Sequence, residues 1–439
     1  MQLIKKQWQN WSGSVQCMPT IYYPETNEDI VKIFETARQN SHSVRVYGSA
    51  HSFTPLCQTN DIMISLDKMQ GIISLDKIQG IVTVWGGTKL NYLGELLHQQ
   101  GLALVNMGDI DVQSLAGALT SGTHGTGKAF GILATQLIAL KLVTPEGEIL
   151  RCSMTENPEL FKAAQVSLGV LGIITEMTLQ CRPSYQLKIS SNKENDRDIA
   201  YTFATYNDQY RNAEYYWFPA AQKTWLKLTE EVPIIDNNQA IKKRGLAQKI
   251  QVFTENNLFG LLCNTAARFP NFSHTVSRIS AIVAGGPPQT DYSHRIYATT
   301  RLVRFHEMEY NIPLENYAQV QTDLIKLFAK HAFQTPIPIE VRRVKADDIW
   351  LSPAYQRESV YFAFHQYKPM PCDPYFSTVE PLLVEAGGRP HWGKMHTRKT
   401  DFFEKNYPKW NDFLKIRQQL DPRAVLLNAH LKNIFNPSV

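Results

Sequence analysis

The sequence predicts an α+β protein of two domains, and three observations lead to this prediction. The chain has 439 residues, more than one hydrophobic core usually serves. Up to about residue 180, short apolar runs alternate with amphipathic helices and glycine-rich turns. Farther along, segments such as 301–310 and 359–367 alternate apolar and polar residues with the period of a strand. We therefore expect an αβ domain over 1–180, an antiparallel-sheet domain over 181–400 and a helical segment over 401–439.

The composition is that of a soluble globular protein and argues against several functional classes. Apolar residues make up 43% of the chain and charged residues 19%. The formal net charge of +5 is scattered, which favours an anionic ligand or peripheral contact with a membrane surface and argues against nucleic-acid binding. The six cysteines lie far apart, which excludes a zinc ribbon or thioredoxin motif. Because the N-terminal segment also lacks an apolar signal region, we expect a cytoplasmic protein.

The first predicted elements are a helix over 25–39 and a strand over 44–47. Thr26 or Asn27 is suited to cap the helix, and apolar residues recur along one side of it at helical spacing. The strand leads directly into the turn GSAHS, over 48–52. Small residues leave the backbone N–H groups of such a turn open to an anionic ligand.

His51 stands within this turn, and the sequence allows it several roles. A histidine among free backbone donors can act as a general base, bind a metal or serve as a point of covalent attachment. An ordinary turn histidine is the simplest interpretation of the turn taken alone. No GxGxxG motif follows and no helix begins here, so a nicotinamide-binding Rossmann domain is not expected.

Two nearly identical nonapeptides follow the turn. They read ISLDKMQGI over 64–72 and ISLDKIQGI over 73–81. A single pair is too short for a solenoid, which needs several units to bury a core. We expect the two nonapeptides to form adjacent strands with similar turns and to contribute little to function.

A second stretch of small residues runs from Asn106 to Leu137. Its glycines and hydroxyl residues are too many for a helix and too patterned for a linker. Backbone donors and hydroxyls near His124 suit a long hydrogen-bonding ligand with phosphates at one end. The segment LGVLGII over 168–174 adds two glycines before a strand predicted over 175–180. The first domain therefore offers three glycine-rich backbone surfaces.

The second domain carries a cluster of charged residues. In PIPIEVRRV, over 336–344, Glu340 and Arg342 share one face of a predicted strand, where a salt bridge is the simplest interpretation. The segment RPHWGK, over 389–394, adds Lys394. A carboxylate, a guanidinium and an ammonium together can bind a polyhydroxylated substrate or stabilise negative charge on an acceptor. We expect Arg342 to lower the pKa of Glu340, so that Glu340 orients a hydroxyl rather than deprotonating it.

The order of these motifs resembles the vanillyl-alcohol-oxidase family of flavoproteins. GSAHS, SLAGALTSGTHGTG, FGILATQ and LGVLGIIT are similar to its FAD domain, which is of the PCMH type. IEVR, ADDIWLSPAYQR, RPHWGK and the final YPKW…LDP…LLN are similar to its aldonolactone oxidase branch, which is close to the alditol oxidases. The resemblance implies an FAD domain followed by an antiparallel-sheet substrate (cap) domain. The matching segments are 48–52, 114–127, 130–136, 168–175, 339–342, 346–357, 389–394 and 407–428.

The resemblance also implies site residues, with FAD attached covalently through His51. In the substrate site, Glu340 would contact the reacting hydroxyl, Arg342 would lie near the flavin carbonyl, and Lys394 would be the active-site lysine. Ser114 and His365 would be further substrate contacts. The residues implied for FAD binding are Tyr47, Gly48, Ser49, Ala50, His51, Ser52, Gly108, Asp109, Ser114, Gly117, Ser121, Gly122, Thr123, His124, Gly125, Gly172, Ile173 and Ile174.

The activity implied by the resemblance is oxidation of a sugar 1,4-lactone of the L-gulono or D-arabinono type. The C2 hydroxyl would be oxidised by hydride transfer to flavin N5, with O2 as the acceptor and H2O2 as the product. The alternatives are an alditol oxidase acting on xylitol or sorbitol, a lactone dehydrogenase that reduces a cytochrome or quinone, and a flavin-binding protein without turnover. The complete set of Glu340, Arg342 and Lys394 favours an enzyme.

Overall fold

A computed structural model describes residues 2–234, 257–299 and 301–435 of the protein. Within these ranges, the main sheets have four, five and eight strands. None of the helices described there has both the length and the hydropathy needed to cross a bilayer.

The four-stranded sheet lies near the start of the chain and pairs its strands in the order β1-β4-β6-β5. Helix α1 packs on it through Ile30, Ile33 and Phe34, and Thr26 caps the helix by accepting a hydrogen bond from the Asp29 N–H. The helix predicted over 25–39 is confirmed, although it begins at Asn27, two residues later than predicted. The elements are β1 Gln2–Lys5, β2 Trp8–Gln9, β3 Gln16–Cys17, β4 Thr20–Tyr23, α1 Asn27–Gln39, β5 Val44–Tyr47 and β6 Ile62–Ser65.

The five-stranded sheet is antiparallel, in the order β11-β10-β12-β8-β7. Its apolar side packs against the helices of this region and, from the far end of the chain, against Trp410 and Phe435. The elements are β7 Ile72–Asp76, β8 Ile81–Trp85, α2 Leu90–Gln99, β9 Leu102–Ala103, α3 Leu115–Thr120, β10 Leu137–Val143, β11 Ile149–Ser153, α4 Pro158–Ala164, β12 Ile173–Gln180 and β13 Arg182–Pro183.

Two predictions for this region are wrong. The nonapeptides do not form adjacent strands, because the first copy ends β6 of the four-stranded sheet and the second forms β7, an edge strand of the five-stranded sheet. Met69 of the first copy is 1% exposed and the matching Ile78 is 93% exposed, so burial differs although the sequence repeats. The second error concerns the small-residue stretch, which contains helix α3. Buried Leu115 and Leu119 stabilise this short helix despite its glycine.

The eight-stranded sheet follows, in the order β17-β14-β16-β15-β19-β20-β18-β21. Helices α5, α9 and α10 cover its apolar face, where Phe203, Leu324 and Val379 join the core. The strand predicted over 301–310 runs instead over Phe305–Pro313. The strands are β14 Gln186–Asn195, β15 Asn212–Phe218, β16 Lys223–Val232, β17 Gln289–Tyr292, β18 Phe305–Pro313, β19 Ile339–Val344, β20 Ser359–Tyr367 and β21 Arg389–Pro390. The helices after β13 are α5 Ile199–Gln209, α6 Phe259–Arg268, α7 Ser273–Val283, α8 Ser293–Tyr297, α9 Tyr317–His331, α10 Tyr375–Glu385, α11 Thr400–Asn406, α12 Trp410–Leu420 and α13 Ala429–Phe435.

The other face of this sheet, which we call the polar face, carries charged residues in cross-strand pairs. Directly paired residues of antiparallel strands point to the same side, so the register identifies the members of this face. They are Lys227, Glu214, Tyr216, Glu340, Arg342, Tyr361, Ala363, His365, Glu307 and Glu309.

The glycine-rich segment of the first domain docks at the edge of the polar face. The N–H of Gly127 donates to the carbonyl oxygen of Arg343 at 2.7 Å. The hydroxyl of Thr126 donates to the carbonyl oxygen of Ala213 at 2.7 Å. These hydrogen bonds place the polar face beside the first domain.

Candidate active site

A cleft with about 900 Å³ of empty space, part of it open solvent, begins where β5 ends. The turn over 48–52, the start of α3 and the segment over 168–172 form its walls. Of the residues implied for FAD, those that line this cleft are Tyr47, Gly48, Ser49, Ala50, His51, Ser52, Ser114, Gly117, Ser121, Gly172 and Ile174.

The shape of the cleft depends on residues without large side chains. A Cβ atom at Gly48 would lie 1.9 Å from the Ser114 hydroxyl oxygen, and one at Gly87 would lie 2.0 Å from the Leu66 carbonyl oxygen. Ala50 has a φ of +57°, in the left-handed region that favours glycine. Gly172, at φ +151°, also lines the cleft. Bare backbone of this kind lets a phosphate approach closely.

FAD fits the chemistry of this cleft. Backbone N–H groups of the 48–52 turn suit a pyrophosphate. The side-chain oxygen of Gln113, at the wall of the cleft, is buried without a hydrogen-bond partner among the described residues. A hydroxyl or amino group of a bound ligand would satisfy that acceptor.

Arg45 is a residue of the cleft wall that sequence reasoning missed. Its buried guanidinium donates to the carbonyl oxygens of Leu56 at 2.8 Å, Leu168 at 2.7 Å and Leu426 at 2.6 Å. Burial lowers the pKa of Arg45 to about 10, so it stays charged at neutral pH. In the described part of the chain no carboxylate lies within ion-pair distance of it. The sequence feature that could have identified Arg45 is its position inside an otherwise apolar strand, VRVY.

His51 lies at the end of the cleft against the indole of Trp11. The two rings are stacked with centroids 5.2 Å apart. Burial and the positive charge of Lys394 lower the pKa of His51 to about 4. The imidazole is therefore neutral at physiological pH and carries a lone pair on one nitrogen.

On the polar face, Arg342 contacts three carboxylates. Its guanidinium bonds to Glu340 on the same strand, lies 3.0 Å from Glu214 on the neighbouring strand, and lies 3.2 Å from Asp109 of the first domain. Arg301 pairs with Asp109 at 2.8 Å and Lys227 with Glu214 at 2.9 Å. Three carboxylates and three cations thus balance in charge.

Glu340 has a higher pKa than the sequence led us to expect. Burial raises the pKa of Glu340, and the negative charges of Asp109 and Glu214 add to that effect. Arg342 lowers it, but by less, so the net shift is upward. The expectation of a low pKa was therefore wrong, because it counted one neighbour and omitted burial. The hydroxyl of Tyr216 donates to Glu340 at 2.7 Å and fixes its carboxylate.

Lys394 lies farther across the polar face and binds Glu307 with an N–O distance of 2.5 Å. The other oxygen of Glu307 lies 3.6 Å from Nε2 of His365, on the adjacent strand. Sequence reasoning found Lys394 and His365 but missed Glu307. The signal was present in FHEMEY, where two glutamates alternate along strand β18.

His124 contacts the polar face through Glu309 and is not among the residues that line the FAD cleft. Its Nε2 lies 3.1 Å from Glu309, and its Nδ1 lies 2.9 Å from the Gly125 carbonyl oxygen. His391 completes a buried cluster whose candidate ligand atoms lie within 4.8 Å of one another. The N–H of Gly393 donates to Nδ1 of His391 at 3.0 Å, so in the neutral ring Nε2 carries the proton. A nitrogen that carries a hydrogen has no lone pair for a metal.

Comparison with known proteins adds the family. Residues 177–434 match the model of the D-arabinono-1,4-lactone oxidase family, and residues 19–153 match an FAD binding domain. The chain belongs to the D-arabinono-1,4-lactone oxidase family. The resemblance inferred from the motifs and the FAD cofactor are thereby confirmed.

Relatives of this lactone oxidase family member extend over its whole length. An L-gulono-1,4-lactone dehydrogenase of Mycobacterium tuberculosis (strain ATCC 25618 / H37Rv) is 36% identical, over 98% of this chain and 99% of the relative. An L-gulonolactone oxidase of Mus musculus is 32% identical, over 98% of each. A solved structure titled solvent-stable cholesterol oxidase is similar with a TM-score of 0.85 at 18% identity, over 98% of each chain. That similarity confirms the predicted fold.

The remaining residues that the sequence implied for FAD lie elsewhere in this lactone oxidase fold. Gly108, Asp109 and Gly125 line a second, smaller cavity, which Arg342 also lines. Gly122 and Thr123 follow α3, where a Cβ atom at Gly122 would lie 3.6 Å from Cδ of Pro353. Ile173 is fully buried in the first domain's core. Contact of these residues with the cofactor stays a prediction.

Proposed function

We propose that the protein uses FAD to oxidise a sugar 1,4-lactone of the L-gulono or D-arabinono type at its C2 hydroxyl. The observation that carries the proposal is the polar face, where Glu340, Arg342, Lys394 and His365 lie beside the FAD-binding domain. Such a set of donors and acceptors suits a polyhydroxylated substrate. The names of the relatives support a lactone over an open-chain polyol.

The first domain would hold FAD through the cleft. The turn over 48–52 offers backbone donors to the pyrophosphate, and the charge of Arg45, which has no carboxylate partner among the described residues, favours an anionic ligand there. When bound, FAD supplies an acceptor for the hydride of the substrate C–H bond.

The polar face would bind and orient the substrate. Glu340, held by Tyr216 and Arg342, would position the reacting hydroxyl. Arg342 and Lys394 are fixed cations in a buried setting, so they stabilise negative charge without reorganising during the reaction. One such donor is typically worth about 10² to 10³ in rate.

A covalent bond between His51 and FAD is part of the proposal. Two observations support it: the neutral imidazole of His51 has a free lone pair, and the ring is held against Trp11 at the end of the cleft. Both favour a nitrogen that is able to form a bond to a bound cofactor.

We further propose O2 as the electron acceptor, with H2O2 as the product. The name of the family and of the mouse relative, both oxidases, supports this choice. The mycobacterial relative is named a dehydrogenase, which keeps a cytochrome or quinone as the second candidate acceptor.

The test is anaerobic mixing of the purified yellow protein with L-gulono-1,4-lactone, D-arabinono-1,4-lactone and xylitol while flavin absorbance is recorded. We expect either lactone to bleach the flavin and xylitol to leave it oxidised. Readmitted air should restore the absorbance and produce H2O2. Bleaching by xylitol alone would show an alditol oxidase, and slow recovery in air would favour the dehydrogenase.

Peripheral contact with an anionic membrane surface is proposed as well, through helices α6 and α7. Their outer sides carry exposed apolar side chains, and the segment 257–290 has no Asp or Glu. Arg268, Arg278 and Lys193 add positive charge at these helices. Exposed apolar residues with basic neighbours suit anionic lipid. The exposed apolar residues are Leu258, Leu261, Phe269, Ile279, Ile282 and Val283.

Flotation with lipid vesicles tests this contact. We expect the protein to float with phosphatidylcholine vesicles that contain phosphatidylglycerol and not with phosphatidylcholine alone. Ile282→Asp should weaken binding, and Tyr201→Asp, at an equally exposed position on α5, should not. Equal behaviour of both variants would argue against these helices.

A further inference from the structure

We propose that His365 accepts the proton of the substrate hydroxyl and that Glu307 stabilises the imidazolium that forms. The inference rests on the proposed function and names the proton acceptor, which that function requires. His365 would then be a catalytic residue, and Glu307 would position it.

The backbone fixes the tautomer of His365. Its Nδ1 lies 2.9 Å from the carbonyl oxygen of Pro338, and a carbonyl oxygen only accepts hydrogen bonds. Nδ1 therefore carries the hydrogen, and in the neutral ring Nε2 carries the lone pair. That lone pair is what a general base uses.

Glu307 is placed to stabilise the charged ring. It lies directly opposite His365 on strand β18, with one carboxylate oxygen 3.6 Å from Nε2. Lys394 binds its other oxygen at 2.5 Å. Both Glu307 and His365 are less than 8% exposed, and in such a setting water screens a charge interaction less than it does at the surface.

The strand register places this base near the hydroxyl that Glu340 would orient. Glu340 lies opposite Ala363, and His365 is two residues along the same strand on the same face. Diagonal neighbours of this kind have Cβ atoms about 7–8 Å apart, so one substrate oxygen can reach both side chains. The small side chain of Ala363 adds no bulk between them.

Aromatic contacts also link His365 to the proposed attachment point of FAD. The centroid of its ring lies 4.9 Å from that of Phe305, and the ring centroids of Phe305 and Trp11 are 5.2 Å apart. Trp11 in turn stacks on His51. Two rings therefore separate the base from the residue proposed to carry the cofactor.

Glu340 is less suited to take the proton. One of its oxygens already accepts hydrogen bonds from Tyr216 and Arg342. A proton on Glu340 would weaken its ion pair with Arg342, whereas a proton on His365 would create an ion pair with Glu307. In the step, the substrate O–H bond breaks and an Nε2–H bond forms. The C–H electron pair leaves to the bound flavin as the C=O bond forms.

The experiment measures flavin reduction by L-gulono-1,4-lactone in anaerobic stopped flow from pH 5 to 9. His365→Asn and Glu340→Gln are compared with the wild type, and flavin content and circular dichroism confirm folding. His306→Asn is the matched control, because His306 pairs with Gln366 one position along the same strands and is not part of the polar face. The charged groups that face His365 in the described chain are Glu307 and, behind it, Lys394.

We expect His365→Asn to slow reduction by about 10² to 10⁴ and to abolish the rise of the rate with pH. Flavin content should stay unchanged. A rate within twofold of the wild type would overturn the proposal. So would a slow variant that keeps the pH dependence, or loss of that dependence in Glu340→Gln alone. If no lactone bleaches the wild-type flavin, the proposed function fails, and that result is separate from these outcomes.

Discussion

Several charged side chains of this protein are buried by the fold, where water screens their charges less. Arg342 is the clearest case, because one guanidinium contacts carboxylates from β19, from β15 and from the first domain. A cation so enclosed has a fixed position, and its field is weakly screened. Removing it changes both the charge of the polar face and the arrangement of Glu340.

Arg342→Ala is expected to slow flavin reduction by roughly 10²- to 10³-fold, the usual effect of losing one electrostatic donor. Arg342→Lys keeps the charge but loses the forked geometry, so its rate should lie between those of the wild type and the alanine variant. Stopped-flow reduction by the lactone measures both. An alanine variant that is reduced as fast as the wild type would remove Arg342 from the chemistry.

His51→Ala should release FAD when the protein is precipitated with acid, because the proposed bond would be missing. His42→Ala, an exposed histidine on the neighbouring loop, serves as the control and should retain the flavin in the pellet. Absorbance of supernatant and pellet at 450 nm gives the result. Flavin that stays with the His51 variant would mean that another residue forms the link.

Ala50→Gly should raise the thermal midpoint of unfolding, because Ala50 adopts a left-handed φ of +57°. An L-residue there costs about 1–2 kcal/mol, and the greater freedom of glycine in the unfolded chain offsets part of this gain. Ala164→Gly, inside helix α4, should lower the midpoint instead. Calorimetry measures both, and a lower midpoint for the Ala50 variant would contradict the strain argument.

At the scale of elements, strand β18 shows how one strand serves both faces of its sheet. Its inward residues Met308 and Tyr310 join the apolar core, and its outward residues Glu307 and Glu309 bind Lys394 and His124. The strand therefore connects the polar face to the glycine-rich segment of the first domain. Buried ion pairs of this kind make stability depend on pH.

Glu309 shows in which direction the stability of the protein changes with pH. Burial alone would raise the pKa of Glu309, but the charges of His124, His391 and Lys394 outweigh it and lower the pKa. A lowered pKa means that the stabilisation is present above the unfolded value for Glu, about 4.3, and is lost as the pH falls below it. The thermal midpoint should drop from pH 5 to 3, and Glu309→Gln should flatten that drop. The exposed Glu315→Gln is the control, and an equal slope in both variants would contradict the assignment.

The sequence predicted individual elements better than it predicted their partners. The strand over 359–367 has the predicted bounds, because apolar and polar residues alternate along it. The nonapeptides were misplaced because a short motif does not determine which sheet it joins. On the polar face, Glu340, Arg342 and Lys394 could be found from motifs, whereas Glu307 and Glu309 acquire meaning only from strand pairing. The pKa of Glu340 depends on Asp109, which is far away in sequence.

At the scale of the whole molecule, the FAD cleft is assembled from distant parts of the chain. Arg45 binds carbonyl oxygens near residues 56, 168 and 426, and Asn428 donates to the carbonyl oxygens of Pro55 at 2.7 Å and Gln58 at 2.8 Å. No local sequence pattern predicts contacts between such distant segments. The glycine turns could therefore be predicted from the sequence, but the arginine that joins them could not.

Arg45→Met should lower both FAD content and the thermal midpoint, because several buried carbonyl groups would lose their donor at once. Arg45→Lys should not restore the wild type, since an ammonium has three donors and lacks the planar fork. Arg151→Met, at an exposed position of β11, is the control. Flavin absorbance and calorimetry give the result, and full FAD content in Arg45→Met would refute this role.

The bond between Arg45 and Leu426 has a consequence for biosynthesis. The N-terminal strand β5 is also paired at its start with this late segment, through the Val44 N–H and the Val425 carbonyl oxygen at 2.8 Å. Until residues 425–428 have been synthesised, Arg45 and Val44 lack these partners. The strand that leads into the cofactor cleft is therefore completed late, and we expect newly made protein to pass through a colourless apo stage before it turns yellow.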